Sequence, residues 1–460
     1  MKGHRDEIVG KVFRGLGNSF TADGRDATWG SYWPGAGRYL LLEIETADEP
    51  LQLQEWFVRE QRYPLHMLAR VELDDPQLSA IIPLCLRALQ CSSHDAVMDC
   101  PYYEQLMYVG DTRLELLTLY AISNDSHLAE RCLLLQDQSR SRFGFTAMRY
   151  PAREDQLSPT FAAISVLCLH DYACWRDHPR FVHDRLPGMR ANMDAFLPYR
   201  CEAGSLEELP GWTFIDWVAD WSQGDGPGHR TGCCALSNLF YLLALQAAAD
   251  LEAWHGEGLL AQRYKEMAKT TKIAIQSAFW CEKRQAFADD REHQYFSQHA
   301  QSLAVISGLI PQTRRKALMR KALTESDFAP ASIYFRYYLF EALYRSGMGR
   351  ELRAGYAPWF ELLDRGLRTT VEKDEPTRSD CHGWGAHALY HLIASLGGIR
   401  PAAPGFKDVQ VAPVLGGLKR VDMSVPHPEG RIEVNIERVN GHWEGNVDLC
   451  KDRNVLGPGV

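Results

Sequence analysis

Three stretches of this chain concentrate carboxylates among aromatic residues. The first runs Asp99-Cys-Pro-Tyr-Tyr-Glu-Gln-Leu-Met-Tyr-Val-Gly-Asp111. Pro101 and Gly110 disfavour a continuous helix through it, so Asp99, Glu104 and Asp111 bracket an aromatic loop just ahead of a helix. Breaking a bond between sugars takes a proton donor for the leaving oxygen and a second carboxylate acting from the other side. Glu104 lies among Tyr103, Met107 and Tyr108. Such surroundings can raise a carboxyl's pKa, as a general acid requires. Asp111 has a second reading as the cap of a helix starting at Thr112, with Thr112 and Glu115 as an alternative capping box.

The second stretch, residues 209–224, holds Trp212, Asp216, Trp217, Asp220 and Trp221. Flat aromatic faces suit the CH face of a sugar, and aspartates suit its hydroxyls. Core packing is the competing role for each tryptophan. The third, residues 369–384, carries Glu372, Asp374, Glu375, Asp380, His382 and Trp384. Residues 373–375 read as a solvated acidic loop. Glu372 follows a β-like Thr-Thr-Val run that can turn it inward, and Glu375 is the alternative base. The adjacent Cys381 and His382 raise a cysteine nucleophile or a metal, but sequence neighbours do not project together. No ligand spacing completes such a set, so no metal is expected.

Helical periodicity runs from about residue 76 to 398. It predicts twelve helices near 76–94, 112–123, 126–138, 159–178, 180–198, 232–253, 258–280, 297–308, 311–325, 331–347, 348–365 and 383–396. Two kinds recur. The run from Ala235 to Leu245 is apolar on nearly every face, whereas the run from Leu260 is amphipathic. The first kind must be buried and the second can cover it, which suggests inner and outer pairs in an (α/α)6 barrel. No fixed sequence period supports a repeat solenoid. The expected fold is mainly α, with short β-rich segments at both ends. Residues 1–65 read as a partial β-rich segment, the remnant of a β-sandwich, with alternating runs near 39–46 and 51–58. Residues 66–398 read as the barrel and 399–460 as a C-terminal β module.

The 460 residues allow a large core with satellites. A net charge of -9 disfavours a nucleic-acid partner. The 12 tryptophans and 19 tyrosines fit a large core better than dedicated sugar platforms on composition alone. The 12 cysteines form no Cys-x-x-Cys pair and read as reduced, mostly buried thiols. No apolar run is long enough to span a membrane, and the first residues lack a signal peptide's apolar core. A cytoplasmic location is therefore expected, or else a chain that has lost its leader. The oligomeric state is left open.

The three segments together resemble family 78 glycoside hydrolases, the α-L-rhamnosidases. That family shows Asp-Cys-Pro-x-Arg-Glu-Gln-x-x-Trp-x-Gly-Asp, and residues 99–111 match it at Asp99, Cys100, Pro101, Glu104, Gln105, Gly110 and Asp111. Its Trp-x-x-x-Asp-Trp segment resembles Trp212 to Trp217. Its Thr-Thr-x-Glu and Ser-x-Cys-His-x-Trp segments resemble residues 369–384. The resemblance implies inverting hydrolysis of a terminal α-L-rhamnoside, on glycosides or polysaccharides, without a metal or organic cofactor. Glu104 would be the acid and Glu372 the base. Asp99 and Asp111 would bind rhamnose hydroxyls, helped by His382 and by Tyr103, Tyr108, Trp212, Asp216, Trp217 and Trp384. The family also carries several β domains ahead of its barrel. Tyr103 stands where the pattern has arginine and Tyr108 where it has tryptophan. A different sugar in the first subsite, or a sugar-binding relative without activity, are the alternatives these departures raise.

Overall fold

The computed structural model describes residues 2–12, 15–140, 144–229, 232–440 and 442–451. Its helices are α1 (Pro76–Cys91), α2 (Val109–Ile122), α3 (His127–Gln138), α4 (Pro159–Trp175), α5 (Pro179–His183), α6 (Leu186–Asp194) and α7 (Ala235–His255). They continue with α8 (Gly258–Phe279), α9 (Gln298–Ile306), α10 (Gln312–Thr324), α11 (Arg336–Arg345), α12 (Gly349–Ala354), α13 (Ala357–Asp364) and α14 (His387–His391). Local chemistry sets several starts. Asp75 caps α1 by accepting from the Gln77 and Leu78 amides, with Pro76 in the first turn. Ser158 and Ser297 cap α4 and α9 in the same way.

Two expected helices are each split in two. The 180–198 region breaks into α5 and α6, and the 348–365 region into α12 and α13. Pro187 and Pro358 lie in the first turn of the second piece, where a missing N–H costs nothing. The last region is a tight turn over Gly383–Ala386, then α14, then a wide turn over Leu392–Leu396.

Every residue of α2 is buried, and α4 and α7 are buried nearly throughout. These are the all-round apolar helices that the sequence marks for the inside. α2 packs on α4, α4 on α7, α7 on α9, α9 on α11, α11 on α14, and α14 back on α2. That closes an inner ring of six. α1, α3, the α5–α6 pair, α8, α10 and the α12–α13 pair lie outside it, so the expected (α/α)6 barrel forms. Inner and outer helices alternate along the chain, so the inner ones run the same way. The loops before them are long and gather at one mouth, and those after them are short. Six helix N-termini therefore face the mouth, an arrangement that favours carboxylates there.

The other end of the barrel is covered by an antiparallel sheet. Its strand order is Arg70–Leu73, Arg420–His427, Gly430–Val439 and His442–Lys451. Val421, Met423, Val425, Ile432 and Val434 form its buried face. Just past the C-terminus of α2, Asn124 donates to the His427 carbonyl.

The alternating runs near 39–46 and 51–58 form no strand, contrary to expectation; before Arg70 the described residues lack regular secondary structure. Among the described residues no neighbouring strand pairs with these runs. Leu40, Leu42, Ile44, Trp56 and Phe57 are exposed there.

Candidate active site

The loop before α2 is wound tightly around Asp99. The Asp99 amide donates to the Leu106 carbonyl at 3.0 Å. Its side chain accepts from the Leu106 amide at 3.0 Å and from the Cys100 thiol at 2.8 Å. Gln105 takes a left-handed backbone (φ 55°), and its side-chain amide donates to the Pro101 carbonyl at 2.8 Å. The winding lifts Glu104 to the rim, where its side chain is 25% exposed. Tyr108 begins α2 without a side-chain cap bond. Its hydroxyl accepts from Arg149 Nη1 at 2.7 Å and interacts with the Glu104 carboxylate.

Helix α2 starts three residues earlier than a cap at Asp111 would allow. Asp111 lies in its first turn and bonds His382 Nε2 at 3.0 Å. Glu115 makes no capping box. It is fully buried with no hydrogen-bond partner among the described residues. Gly110 packs against Phe161 so closely that a Cβ would meet the ring at 2.4 Å, which is why glycine suits this helical position.

The segment before α14 folds back on itself and docks on the first loop. The His382 amide donates to the Thr370 carbonyl at 2.9 Å, and Thr370 Oγ1 donates to the His382 carbonyl at 2.6 Å. The Gly383 amide donates to the Asp99 carbonyl at 2.9 Å. Trp384 Nε1 donates to the Glu372 carbonyl at 3.0 Å. These bonds carry Glu372 to the same place as Glu104, with its side chain 5% exposed.

Arg378 joins the two glutamates. Its Nη2 donates to Glu104 at 2.7 Å and to Glu372 at 3.1 Å, and its Nε donates to Glu372 at 3.1 Å. Bonding a common nitrogen keeps the facing carboxylate oxygens within about 6 Å of each other. Glu375 turns the other way, to Arg5 and Arg365. Lys2 and Arg5 both pair with Asp380, and Trp33 Nε1 donates to Gln105 at 2.9 Å. Residues of the N-terminal segment thus touch both glutamate-bearing loops.

The electrostatics differ along the site. Partial burial pushes the Glu104 carboxyl up, but hydrogen bonds from Tyr108 and Arg378 and the charge of Arg378 more than offset it. Its pKa lies below an ordinary glutamate's, not above it as the aromatic surroundings suggest. Burial raises Asp111 to about 6 and raises Asp99 as well. Burial also raises Glu115, helped by the nearby Asp111 charge. His382 would be lowered by burial, but Asp111, Cys100 and Asp99 raise it above the usual histidine range. Asp99, Cys100 and His382 each offer one possible ligand atom within 4.8 Å of the others. Cys100 bonds Asp99 and His382 Nε2 bonds Asp111, while His382 Nδ1 is buried with no hydrogen-bond partner among the described residues.

The remaining expected residues divide. Trp217 meets the third loop, with Lys373 Nζ 5.1 Å from its ring centre. Trp212 lies beside it at 6.3 Å and donates its indole N–H to the Gln223 carbonyl. Tyr103 is exposed at the rim. Trp384 is buried against Tyr334 and His382, and its indole N–H braces the Glu372 carbonyl. Asp216 does not line the site as expected. It is fully buried, and its oxygens are taken by Trp217, His299 and Ser332, so none is left for a sugar hydroxyl. Arg378, Arg149 and Glu115 were not foreseen. Glu115 follows Asp111 by four residues and so shares its helix face, the one signal the sequence offers for it.

Residues 66–331 match the family described as the bacterial alpha-L-rhamnosidase 6 hairpin glycosidase domain, and residues 398–452 match the bacterial alpha-L-rhamnosidase C-terminal domain. No curated protein matches the chain. Among solved structures, a GH78 family rhamnosidase of Bacillus sp. GL1 is 24% identical, with TM-score 0.77 over 84% of this chain and 42% of that one. A rhamnosidase from Klebsiella oxytoca with rhamnose bound is 21% identical, with TM-score 0.64 over 70% of this chain and 64% of that one. An alpha-L-rhamnosidase of Streptomyces avermitilis complexed with L-rhamnose is 16% identical, with TM-score 0.68 over 83% and 38%. At these identities the likeness carries the fold, and the chain spans less than two thirds of each of these relatives.

Proposed function

Since the chain belongs to the bacterial α-L-rhamnosidase six-hairpin glycosidase family, we propose that it hydrolyses terminal α-L-rhamnosides with inversion. Glu104 is the general acid and Glu372 the general base in this reading. The observation that carries the choice of this pair is the meeting of the two glutamates, from loops far apart in sequence, on one guanidinium at the barrel mouth; inversion is what the family resemblance implies. Glu104 gives its proton to the leaving oxygen, and Glu372 takes one from the attacking water. Asp99 and the Asp111–His382 pair bind the sugar hydroxyls, and Trp217 borders the subsite. The substrate is a rhamnosylated glycoside or polysaccharide, and the chemistry draws on no metal or organic cofactor.

Glu104→Gln and Glu372→Gln are each expected to lower rhamnose release from an aryl α-L-rhamnoside by at least about 10²-fold, with circular dichroism unchanged. Near-wild-type turnover in both variants overturns the assignment. Retention is a second reading, favoured by the short separation of the facing oxygens. Retaining pairs stand about 5–5.5 Å apart and inverting pairs about 6.5–9.5 Å. Proton NMR of the first-formed rhamnose separates them: the β anomer marks inversion, the α anomer retention. Tyr103 and Tyr108 favour a further alternative, another sugar in the first subsite. Exclusive cleavage of a non-rhamnoside in a panel of aryl glycosides would establish it.

A further inference from the structure

Arg378 has no part in the two-carboxylate scheme, yet it bonds both carboxylates. We propose that Arg378 is a positioning residue for the Glu104–Glu372 pair. Its guanidinium fixes their spacing before substrate binds, and it yields Glu104 to the leaving-group oxygen when substrate arrives. This rests on the glycosidase reading above.

The geometry is asymmetric in the way such a role needs. Arg378 holds Glu372 with two nitrogens and Glu104 with one. Losing the Glu104 contact therefore leaves the guanidinium anchored on Glu372. The Arg378 side chain is 44% exposed, against 5% for Glu372, so it has room to swing where Glu372 does not. Its Cζ lies 5.3 Å from the Tyr103 ring centre, and its carbonyl accepts from Lys2 Nζ at 2.8 Å. Tyr103 precedes Glu104 and offers a flat face to a guanidinium arriving from the opposite loop.

The step is a change of partner and of proton. While paired with Arg378, Glu104 is held as a carboxylate. Once the guanidinium is withdrawn, burial acts against the charge, and Glu104, which is still partly exposed, takes a proton from solvent that it then passes to the leaving oxygen. The charged and titratable groups facing Glu104 are Arg378, Glu372 and His382 from the third loop, and Asp99 and Tyr108 from its own. Arg149 acts through Tyr108.

The test compares wild type, Arg378→Gln and Arg378→Lys. The readouts are the pH dependence of kcat/KM on an aryl α-L-rhamnoside and the titration of ¹³C-labelled glutamate carboxyls, with Glu104→Gln assigning the resonance. In Arg378→Gln, kcat/KM is expected to fall about 10²-fold, and its alkaline limb and the Glu104 midpoint both move to higher pH. Arg378→Lys should keep the limb near the wild-type position but lose rate, because a point charge cannot fork two carboxylates. A Glu104 midpoint unmoved in Arg378→Gln overturns the proposal, whether or not the rate falls. If wild type releases no sugar from any aryl glycoside, the functional reading fails, and the carboxyl titration still decides the role of Arg378.

Discussion

Asp216 accepts from Trp217, His299 and Ser332 inside the protein, with no exposed surface. Removing it leaves several buried donors unpaired. Asp216→Ala is expected to cost about 3 kcal/mol of stability, read by urea denaturation, while KM of the folded fraction stays near wild type. Asp289 makes a second prediction. It is buried, with only one oxygen bonded, to Ser297, and burial raises its pKa from 3.8 to about 8. Between those values the folded state holds a proton that the unfolded state has released, so stability falls as pH rises from about 4 to 8. Asp289→Asn mimics the protonated form and should flatten that fall, as thermal melts at pH 5 and pH 9 would show. The meeting of Glu104 and Glu372 at the mouth was legible only through the resemblance of their segments, because the aromatic setting of Glu104 by itself pointed to a raised pKa and not a lowered one. Arg378 was not, since its importance lies in reaching across to a residue 274 positions away. The burial of Asp216 was equally hidden, because Asp beside Trp reads the same on a surface and in a core.

Gly383 lets two elements approach. A Cβ there would lie 1.5 Å from Glu115 Oε1 on α2, so the turn before α14 can seat against α2 only with glycine at that point. Gly383→Ala is expected to destabilise by about 1–3 kcal/mol and to lower kcat by displacing His382. Adding Glu115→Ala should recover much of both losses, a coupling that a double-mutant cycle measures. The elements themselves were largely readable. Apolar periodicity located all twelve helical regions, and Pro187 and Pro358 explain the two that divide. The strands expected before residue 65 failed because alternation marks a face that can pair without supplying the partner.

At the scale of the molecule, the ring of inner helices sets the mouth, and the sheet closes the other end. Arg70–Leu73, before the first barrel helix, pairs with Arg420–His427, beyond the last. Replacing Val421 and Val425 in the sheet's buried face with aspartate should therefore expose amides of Arg70–Leu73 to hydrogen exchange, although the two segments are remote in sequence. A single cooperative melt at a lower Tm is the expected companion result. The same pairing has a consequence in time. About 350 residues separate the two strands. At ribosomal speeds of about 5–20 residues per second, the first waits roughly 20–70 s for its partner to be synthesised. For that interval Arg70–Leu73 is an open edge on a nascent chain, available to whatever strand or chaperone arrives before Arg420–His427 does.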